Sequence, residues 1–392
     1  MNVKKRNIIQ VTITIMVILN CIIYYLYIKD VINIRLFSIA DLNPYGAWSA
    51  LKSLFTDVSY RWRGMTRAIA LTISLTIVSF FMGRIFCGFV CPIGSLQDFF
   101  KHIGRKIGIK ERQLIKYNKF NPEWIKYVIF ILLLILSTIK LGNYISPLSP
   151  WLAFLNIFMG IKLEIGLIVL ILILILSLFF KRIFCRVFCP LGAFQSLMYA
   201  IGPLKINRNK VCNGCAICLE DCPVDIKYGE ELEISPECIN CLKCTETVCV
   251  KNSRGYSLKF AGKRIKNSLY ISLGLGMLLS IYILLPLLVP YEGQNTILNI
   301  GNIETGVYQS IGVGFGGPML IEVTVEENKL SKIRVISHKE TSGYHEEVYK
   351  NMGREIIDTQ NLNIDAISGA TVTSRGFLSG VKNSVSQAMN KD

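Results

Sequence analysis

The part of this sequence richest in reactive side chains is a run of eight cysteines between Cys212 and Cys249. Its first half, Cys-Asn-Gly-Cys-Ala-Ile-Cys-Leu-Glu-Asp-Cys-Pro, has the bacterial C-x2-C-x2-C-x3-C-P spacing that holds a [4Fe–4S] cluster. The second half repeats it with one extra residue before its last cysteine and Val250 in place of proline. In such pairs the fourth cysteine of each half ligates the other cluster. We therefore predict two interlocked clusters, one on Cys212, Cys215, Cys218 and Cys249, the other on Cys222, Cys238, Cys241 and Cys244.

Structural zinc and a disulfide framework are the alternative explanations of this run. Zinc sites use paired C-x2-C sets, whereas this run contains triplets, the first of which leads to Cys-Pro. The spacing therefore favours iron–sulfur clusters, and with them a protein that moves electrons.

A second cysteine pattern, Arg-Ile-Phe-Cys-x3-Cys-Pro-x-Gly-x2-Gln, occurs at 84–97 and again 98 residues later at 182–195. Each copy follows an apolar stretch, which indicates a duplicated membrane unit. Residues four apart share one face of a helix, so each pair can present two thiolates in one direction. Two pairs would supply four ligands for a third centre, whose type stays open: Cys87, Cys91, Cys185 and Cys189. The alternative is that these cysteines only pack at helix ends that proline terminates.

Hydropathy predicts a membrane protein with about five spans. Five stretches are long and apolar enough to cross a bilayer core of about 30 Å: roughly 8–28, 68–86, 125–141, 163–180 and 269–289. The first follows a basic start that resembles a signal peptide. Because this stretch is long and lacks a small-residue cleavage site, we expect an uncleaved helix.

Loop charge predicts the orientation of the spans. Seven basic residues against one acid follow the second stretch at 101–119, and six basic residues without an acid lie at 251–266. Both segments and the N-terminus are then cytoplasmic, which leaves the C-terminal hundred residues outside. The net charge of +16 divides into +19 before Glu292 and −3 from there on, so it is an orientation signal rather than a nucleic-acid patch.

The remaining candidates for redox ligands are few. The three histidines, His102, His338 and His345, all lie outside the apolar stretches, and there is no C-x-x-C-H sequence, which argues against a membrane haem. Cys21 is interpreted as a small packing residue in the first span.

The segment after Pro290 has the pattern of a separate small α+β domain. Short alternating strands with glycines between them are followed by helical stretches, and the segment contains no cysteine. Its sequence Asp-Ala-Ile-Ser-Gly-Ala-Thr at 365–371 is a small-residue turn with clustered hydroxyl groups. Such a turn lets backbone amides approach a phosphate.

This turn resembles the flavinylation motif of FMN-binding domains such as those of the NqrC and RnfG subunits of respiratory complexes. The resemblance implies that an ApbE-type flavin transferase attaches FMN to Thr371 through a phosphoester bond, with Asp365 as part of the recognition signal. It also implies that an upstream segment resembling His-x-Glu-Thr-x-Gly lies near the flavin. The implied FMN contacts are Ser368, Gly369, Ala370, His338, Glu340 and Thr341.

The chain from Ala68 onwards resembles the NosR/NapH-like membrane polyferredoxins, which join tandem C-x3-C-P spans to a two-cluster ferredoxin module. NosR-type proteins carry their flavin domain at the N-terminus, whereas here it is C-terminal. The predicted fold is a multidomain membrane protein: an α-helical transmembrane bundle of about five spans, a dicluster ferredoxin-like module and a small α+β FMN-binding domain. The predicted segments are an N-terminal transmembrane helix with an outer loop (1–67), the duplicated membrane unit (68–204), the ferredoxin module (205–252), a basic linker with the last transmembrane helix (253–290) and the FMN-binding domain (291–392).

These features together predict transmembrane electron transfer in a bacterial inner membrane. A cytoplasmic donor would deliver electrons to the clusters, which pass them by way of the Cys-ligated centre to covalent FMN and an extracytoplasmic acceptor. An oxidoreductase activity of the chain by itself stays open, since it could be one subunit of a larger system. The alternative is a membrane redox sensor or a maturation factor of NosR type that supports a partner reductase. A quinone-coupled enzyme has little support, because charges within the stretches occur only at their edges.

Overall fold

The computed structural model describes residues 3–29, 31–32, 37, 42–44, 67–110, 122–138, 148–158, 165–209, 217–220, 222–226, 232–247, 255–288, 303–340, 345–362, 364, 366–367 and 370–389. The chain divides into two compact units. One comprises Met1–Leu19, Thr72–Phe154 and Leu163–Leu284, and the other Asn20–Leu71, Leu155–Lys162 and Leu285–Asp392.

Helices dominate the described part up to Ile201, because apolar stretches without proline or glycine breaks satisfy their backbone groups internally. This part also contains two π-helical turns, π1 (Phe86–Val90) and π2 (Phe184–Phe188). A short 3₁₀ turn spans Pro122–Trp124. The helices are α1 (Val3–Ile28), α2 (Arg67–Met82), α3 (Pro92–Lys106), α4 (Ile125–Thr138), α5 (Pro150–Ile157), α6 (Ile165–Phe179) and α7 (Pro190–Ile201).

Two helices of the described part are long and apolar enough to cross a membrane: Arg6–Tyr27 within α1, and Asn267–Leu288, which follows the cysteine-rich segment. They correspond to the first and last predicted spans. Shorter apolar helices at Ile69–Met82 and Ile165–Phe179, together with α4, correspond to the other three. The total of five spans stays a prediction.

A small antiparallel sheet flanks the cysteine-rich segment. Its strands are β1 (Leu204–Arg208), β2 (Tyr256–Phe260) and β3 (Lys263–Arg264), and β1 pairs with β2 from Leu204 opposite Phe260 to Arg208 opposite Tyr256. Between β1 and β2 lie two single-turn helices, α8 (Ile217–Glu220) and α9 (Lys243–Glu246). Leu204, Ile206 and Leu258 are buried in one core with Cys218, Cys238 and Cys244. The helix α10 (Asn267–Leu288) follows β3.

The second unit contains a three-stranded antiparallel meander in the order β4 (Gly306–Val313), β5 (Pro318–Glu326), β6 (Lys329–Ser337). Then come α11 (His345–Glu347), a π-helical turn π3 (Val348–Met352), α12 (Gly353–Thr359) and α13 (Thr371–Met389). Alternate residues of β5 are fully buried, as expected for a sheet with one covered face: Met319, Ile321, Val323 and Val325. The predicted small α+β arrangement is therefore present.

The contact between β4 and α13 depends on small residues. A Cβ atom at Gly312 would collide with the carbonyl oxygen of Gly376, and one at Gly376 would lie 2.5 Å from the carbonyl oxygen of Val313. Ser310 donates a hydrogen bond to the Gly380 carbonyl at 2.5 Å. The helix can therefore pack directly on the backbone of the strand.

Within the same unit, the C-terminal turns of α1 contact α11 and π3. The Tyr24 hydroxyl donates to Glu347 Oε2 at 2.9 Å, and the Tyr27 hydroxyl donates to Asn351 Oδ1 at 3.0 Å. The ammonium group of Lys350 lies 4.3 Å from the centre of the Tyr27 ring. These contacts attach π3 to the end of α1.

Replacing Gly312 by alanine should destabilise the contact of β4 with α13, because the added methyl group would collide with the Gly376 carbonyl. Overpacking of this kind costs about 1–3 kcal/mol. We expect faster hydrogen exchange in both elements of the intact protein, measured by mass spectrometry. Gly353→Ala is the control, since Gly353 has helical φ −59° and only Phe377 Cζ lies near its Cβ position, at 3.8 Å. Equal exchange in the two variants would contradict the close contact.

Candidate functional site

Five cysteines of the cysteine-rich segment line one cavity. Cys238 and Cys241 lie on the loop before α9, Cys244 lies in α9, and Cys222 follows α8. These are the four predicted ligands of one cluster. The fifth cysteine is Cys218, a predicted ligand of the other cluster. The rest of the lining is mainly apolar: Leu219, Val224, Ile226, Ile234, Ile239 and Leu242.

The loop that carries Cys238 and Cys241 folds tightly around this cavity. Asn240 and Leu242 have left-handed backbone conformations, with φ of 51° and 62°. The backbone N–H of Asn240 donates to Cys238 Sγ at 3.4 Å. Hydrogen bonds from backbone N–H groups to cysteine sulfur, and apolar surroundings that exclude water, set the reduction potential of a bound iron–sulfur cluster. The predicted ligands Cys212, Cys215 and Cys249 lie outside the described residues.

The two C-x3-C-P sequences adopt the same conformation. The first cysteine of each pair, Cys87 or Cys185, lies inside a π-helical turn. The second, Cys91 or Cys189, is extended with ψ of 114° or 111°, and the following proline begins the next helix. The expectation that each pair occupies one face of a regular helix therefore needs correction. Wider π-turns are frequent at functional sites, and proline fits the first position of a helix because no partner is needed for its nitrogen.

The first cysteine of each repeat forms a hydrogen bond with the glutamine of the other repeat. Gln97 Nε2 donates to Cys185 Sγ at 3.4 Å, and the Cys87 thiol donates to Gln195 Oε1 at 2.8 Å. Gln97 also accepts a hydrogen bond from the backbone N–H of Phe184 at 3.1 Å. The exchange brings the two cysteine pairs together, with Cys87, Cys185 and Cys189 buried and Cys91 half-buried, which is the arrangement that a shared centre would require.

The arginines of the repeats are exchanged in the same way. Arg84 and Arg182 are each 1% exposed. Arg84 Nη2 lies 3.0 Å from the Cβ position of Gly192, and Arg182 Nη1 lies 3.1 Å from that of Gly94. Each glycine is the one in Cys-Pro-x-Gly, so a side chain there would displace the arginine of the other repeat.

Asp98 in α3 neutralises two buried arginines. Its Oδ2 accepts from Arg182 Nη2 at 2.6 Å and from Arg6 Nη2 at 2.7 Å. Arg182 also donates to the Cys87 carbonyl at 2.7 Å and Arg6 to the Gly88 carbonyl at 3.2 Å. Burial by itself would raise the pKa of the Asp98 carboxyl, but Arg182 and then Arg6 outweigh it and lower this pKa to about 2. The carboxylate therefore fixes the backbone of the first cysteine turn through the two arginines.

Glu237, beside Cys238, is the carboxylate that neutralises Arg84 of the first repeat. Its carboxylate binds Arg84 at 3.2 Å, the Tyr127 hydroxyl at 2.6 Å, and Lys126. Burial would raise the pKa of Glu237, whereas Arg84 and Lys126 lower it, and the net shift is downward. The group stays ionised at neutral pH.

The donors around the C-x3-C-P cysteines fit an anionic group. Arg84 Nε, Arg84 Nη2 and Gln195 Nε2 are buried and lack a hydrogen-bond acceptor within the described part. A cluster on four thiolates is anionic and accepts such bonds at its sulfurs. No three His, Cys, Asp or Glu side chains of the described residues converge on a point for a single ion. A four-iron cubane spreads its ligands more widely than that.

Glu340 connects the predicted flavin-contact segment to the start of α13. Its Oε2 accepts from the Thr373 hydroxyl at 2.6 Å, and its Oε1 accepts from the Gly316 backbone N–H at 2.9 Å. Thr371 is the first residue of α13, and Ala370 is buried just before it. A helix N-terminus is a favourable place for a phosphate group. The other predicted contacts, Asp365, Ser368, Gly369 and Thr341, lie outside the described residues.

His338 belongs to an aromatic cluster in this unit. Its ring centroid lies 4.3 Å from that of His345 and 5.3 Å from that of Tyr349. The Tyr349 hydroxyl is buried and without a partner in the described part, and burial, with Glu340 and Glu346 nearby, raises its pKa. The cluster offers ring surfaces and a free donor, which fit a flavin.

Sequence reasoning missed several of these residues. Arg84 and Arg182 occupy the same position in the two repeats, and this signal could have identified them. Asp98, Glu237, Thr373 and Tyr349 gave no such signal, because only the fold brings them to the site.

Replacing Asp98 by asparagine should destabilise the protein by about 3 kcal/mol, because two buried arginines lose their counter-charge. Since the folded-state pKa lies below the unfolded value of about 3.9, this contribution is complete above pH 5 and declines as the pH falls towards 2. Thermal unfolding at pH 7, 5 and 3 should therefore show equal gaps to wild type at the first two values and a smaller one at the third. The exposed Asp358→Asn is the control. A gap that persists unchanged at pH 3 would refute the charge argument.

Two protein families match parts of this chain. The family described as 4Fe-4S binding domain matches twice, at residues 65–110 and 165–209, which contain the two C-x3-C-P repeats. The family described as FMN-binding domain matches residues 314–386, which contain β5, β6, the aromatic cluster and most of α13.

Several proteins of known sequence are similar to parts of this chain. An uncharacterised protein of Methanocaldococcus jannaschii is 35% identical over 197 residues, which cover 49% of this chain and 79% of that protein. The NADH:acrylate oxidoreductase of Vibrio harveyi is 42% identical over 85 residues, 22% of this chain and 8% of that protein. The ferredoxin-type protein NapH of Haemophilus influenzae is 27% identical over 225 residues, 53% of this chain and 75% of that protein. The chain belongs to the family of the Methanocaldococcus jannaschii protein, and it is a 4Fe-4S polyferredoxin, similar to NapH, that is joined to an FMN-binding domain.

Proposed function

We propose that this protein carries electrons across a membrane, from a reduced one-electron carrier in the cytoplasm to an oxidised acceptor outside. The observation that supports this most directly is that two groups of four cysteines lie in one compact unit. One group lines the cavity of Cys222, Cys238, Cys241 and Cys244, and the other is the pair of exchanged C-x3-C-P turns.

The bound groups would supply the redox chemistry, since clusters exchange single electrons and FMN exchanges one or two. The chain fixes where each group is held. Thiolates of the two cysteine groups would hold clusters, while buried arginines and amide donors stabilise their negative charge. Apolar lining excludes water, which keeps these electrostatic effects strong.

The position of the C-x3-C-P turns fits a centre at the membrane boundary. The turns directly follow the apolar helices α2 and α6, and basic segments predict that this side is cytoplasmic. A bilayer core of about 30 Å is too thick for one efficient electron-tunnelling step, so an intermediate centre is needed. The orientation remains part of the proposal.

Attachment of FMN at Thr371 is supported by the motif at 365–371 and by the FMN-binding domain match. Glu340 and Thr373 hold the first turn of α13, so the attachment residue would stand on a fixed backbone. An ApbE-type flavin transferase would be the partner that installs the flavin.

Electron transfer across the membrane should be measurable in inverted vesicles. With dithionite outside and ferricyanide trapped in the lumen, wild-type vesicles should reduce ferricyanide, each ferricyanide taking one electron. Cys241→Ser, which removes a cluster ligand, should lose this activity at least tenfold. Cys21→Ser, a substitution at a buried cysteine outside both groups, should keep it.

Ferricyanide reduction at the wild-type rate by Cys241→Ser vesicles would overturn the electron-transfer proposal. If wild-type vesicles do not reduce ferricyanide but cells carrying Cys241→Ser show a defect, the result would favour a redox sensor or maturation factor instead.

Covalent attachment of the flavin can be tested on denaturing gels. Wild-type protein produced with a flavin transferase should show flavin fluorescence under ultraviolet light, and Thr371→Ala should abolish it, because no hydroxyl remains to form the phosphoester. Thr359→Ala changes an exposed threonine of the same domain and should leave the fluorescence unchanged. Fluorescence that survives in Thr371→Ala would place the flavin elsewhere.

A further inference from the structure

The two C-x3-C-P repeats differ in what covers them. In the first repeat the residue after the leading cysteine is Gly88, and a Cβ atom there would collide with the carbonyl oxygen of Ile239. In the second repeat the same position is Arg186, whose side chain pairs with Glu123 at 3.1 Å and with Asp225 at 3.6 Å. The loop at 237–240, which leads to the cysteine-lined cavity, therefore packs on the backbone of the first repeat.

Arg84 attaches the first repeat to this loop. Its backbone N–H donates to Asn240 Oδ1 at 3.0 Å, and its Nη1 donates to the Glu237 carbonyl at 2.9 Å and to Glu237 Oε2 at 3.2 Å. Cys238, which lines the cavity, lies between these two partners in sequence. One edge of the guanidinium thus binds the loop that carries Cys238, and Arg84 is an electrostatic neighbour of this cysteine.

The other edge of the same guanidinium belongs to the C-x3-C-P group. Nη2 lies 3.0 Å from the Cβ position of Gly192, and Cys189 Cβ lies 3.5 Å from that position. Cys87, Cys185 and Cys189 are electrostatic neighbours of Arg84. Its Nε and Nη2 are buried and have no acceptor in the described part.

Arg182 offers an internal comparison, because it occupies the same position in the second repeat and is equally buried. Its guanidinium hydrogen bonds among the described residues go to Asp98 and to the Cys87 carbonyl. It is an electrostatic neighbour of Cys185 and Cys91. Arg182 thus lies beside the C-x3-C-P group, and none of these hydrogen bonds joins it to the loop at 237–240.

We propose that Arg84 is a shared positioning residue that couples the two cysteine sites electrostatically, so that the cluster held at the Cys222, Cys238, Cys241 and Cys244 cavity is the direct electron partner of the C-x3-C-P centre. This inference rests on the proposed function. A buried positive charge favours the more negative, reduced form of any adjoining centre. One guanidinium between two centres therefore raises both reduction potentials, whereas Arg182 raises that of the C-x3-C-P centre alone.

The test is a redox titration of the full-length purified protein, followed by electron paramagnetic resonance. Cys241→Ser and Cys91→Ser first assign the signals, since each should remove one of them. Arg84→Gln should then lower the potentials of both centres, each by about tenfold in the reduction equilibrium, which is about 59 mV for a one-electron couple. Arg182→Gln should lower only that of the C-x3-C-P centre. Arg84→Lys, which keeps the charge, should leave both reduction potentials close to those of wild type.

Equal shifts of the cavity cluster in Arg84→Gln and Arg182→Gln would overturn the sharing of Arg84, while leaving the proposed function intact. Absence of a signal that Cys91→Ser removes would overturn the proposed centre and this inference with it. If Arg84→Gln fails to accumulate, Glu237→Gln decides. Loss of that negative charge should raise the potential of the cavity cluster, and an unchanged potential would count against the coupling.

Discussion

The structure of the first unit depends on buried polar side chains that each repeat inserts into the other. Arg84 and Arg182 are almost fully enclosed, and a guanidinium in such a position is tolerated only with a carboxylate and further hydrogen bonds. Asp98 and Glu237 supply the charges, and Gly94 and Gly192 supply the space. The two repeats therefore form one body, and their four cysteines meet because the exchange fixes both turns.

The exchange also extends to the helices. The helix after the first turn, α3, packs against α6, which precedes the second turn, and α7 packs against α4. Duplication of the sequence thus gives a pair of interlocked halves, whereas their outer partners differ. The loop beside Cys238 covers one half closely, because Gly88 leaves its backbone open. The nearly symmetric pair of cysteine turns thereby has the loop beside Cys238 on one of its sides.

In the second unit, the contacts of β4 and Glu340 hold the start of α13 in place. Small residues on β4 allow α13 to lie directly on the sheet, and Glu340 joins Thr373 of its first turn to the loop after β4. The residue predicted to carry FMN therefore begins a helix that is fixed at both its face and its end. His338, His345 and Tyr349 form a cluster of rings beside Glu340, in which His345 is buried and His338 is exposed.

The sequence by itself indicated the kind of chemistry that this protein can do, because cysteine spacing, the duplicated C-x3-C-P pattern and the Ser-Gly-Ala-Thr turn are local signals that need no fold. It also indicated the strands and the apolar helices, since periodicity and composition are local too. It could not give the π-helical turns, which depend on packing around the cysteines. Nor could it select Asp98, Glu237 or Thr373, whose partners lie far away in the chain. Only the tertiary structure decided that Arg84 faces both cysteine sites while Arg182 faces one, because burial of a charge is settled by three-dimensional neighbours and not by the residue's place in a repeat.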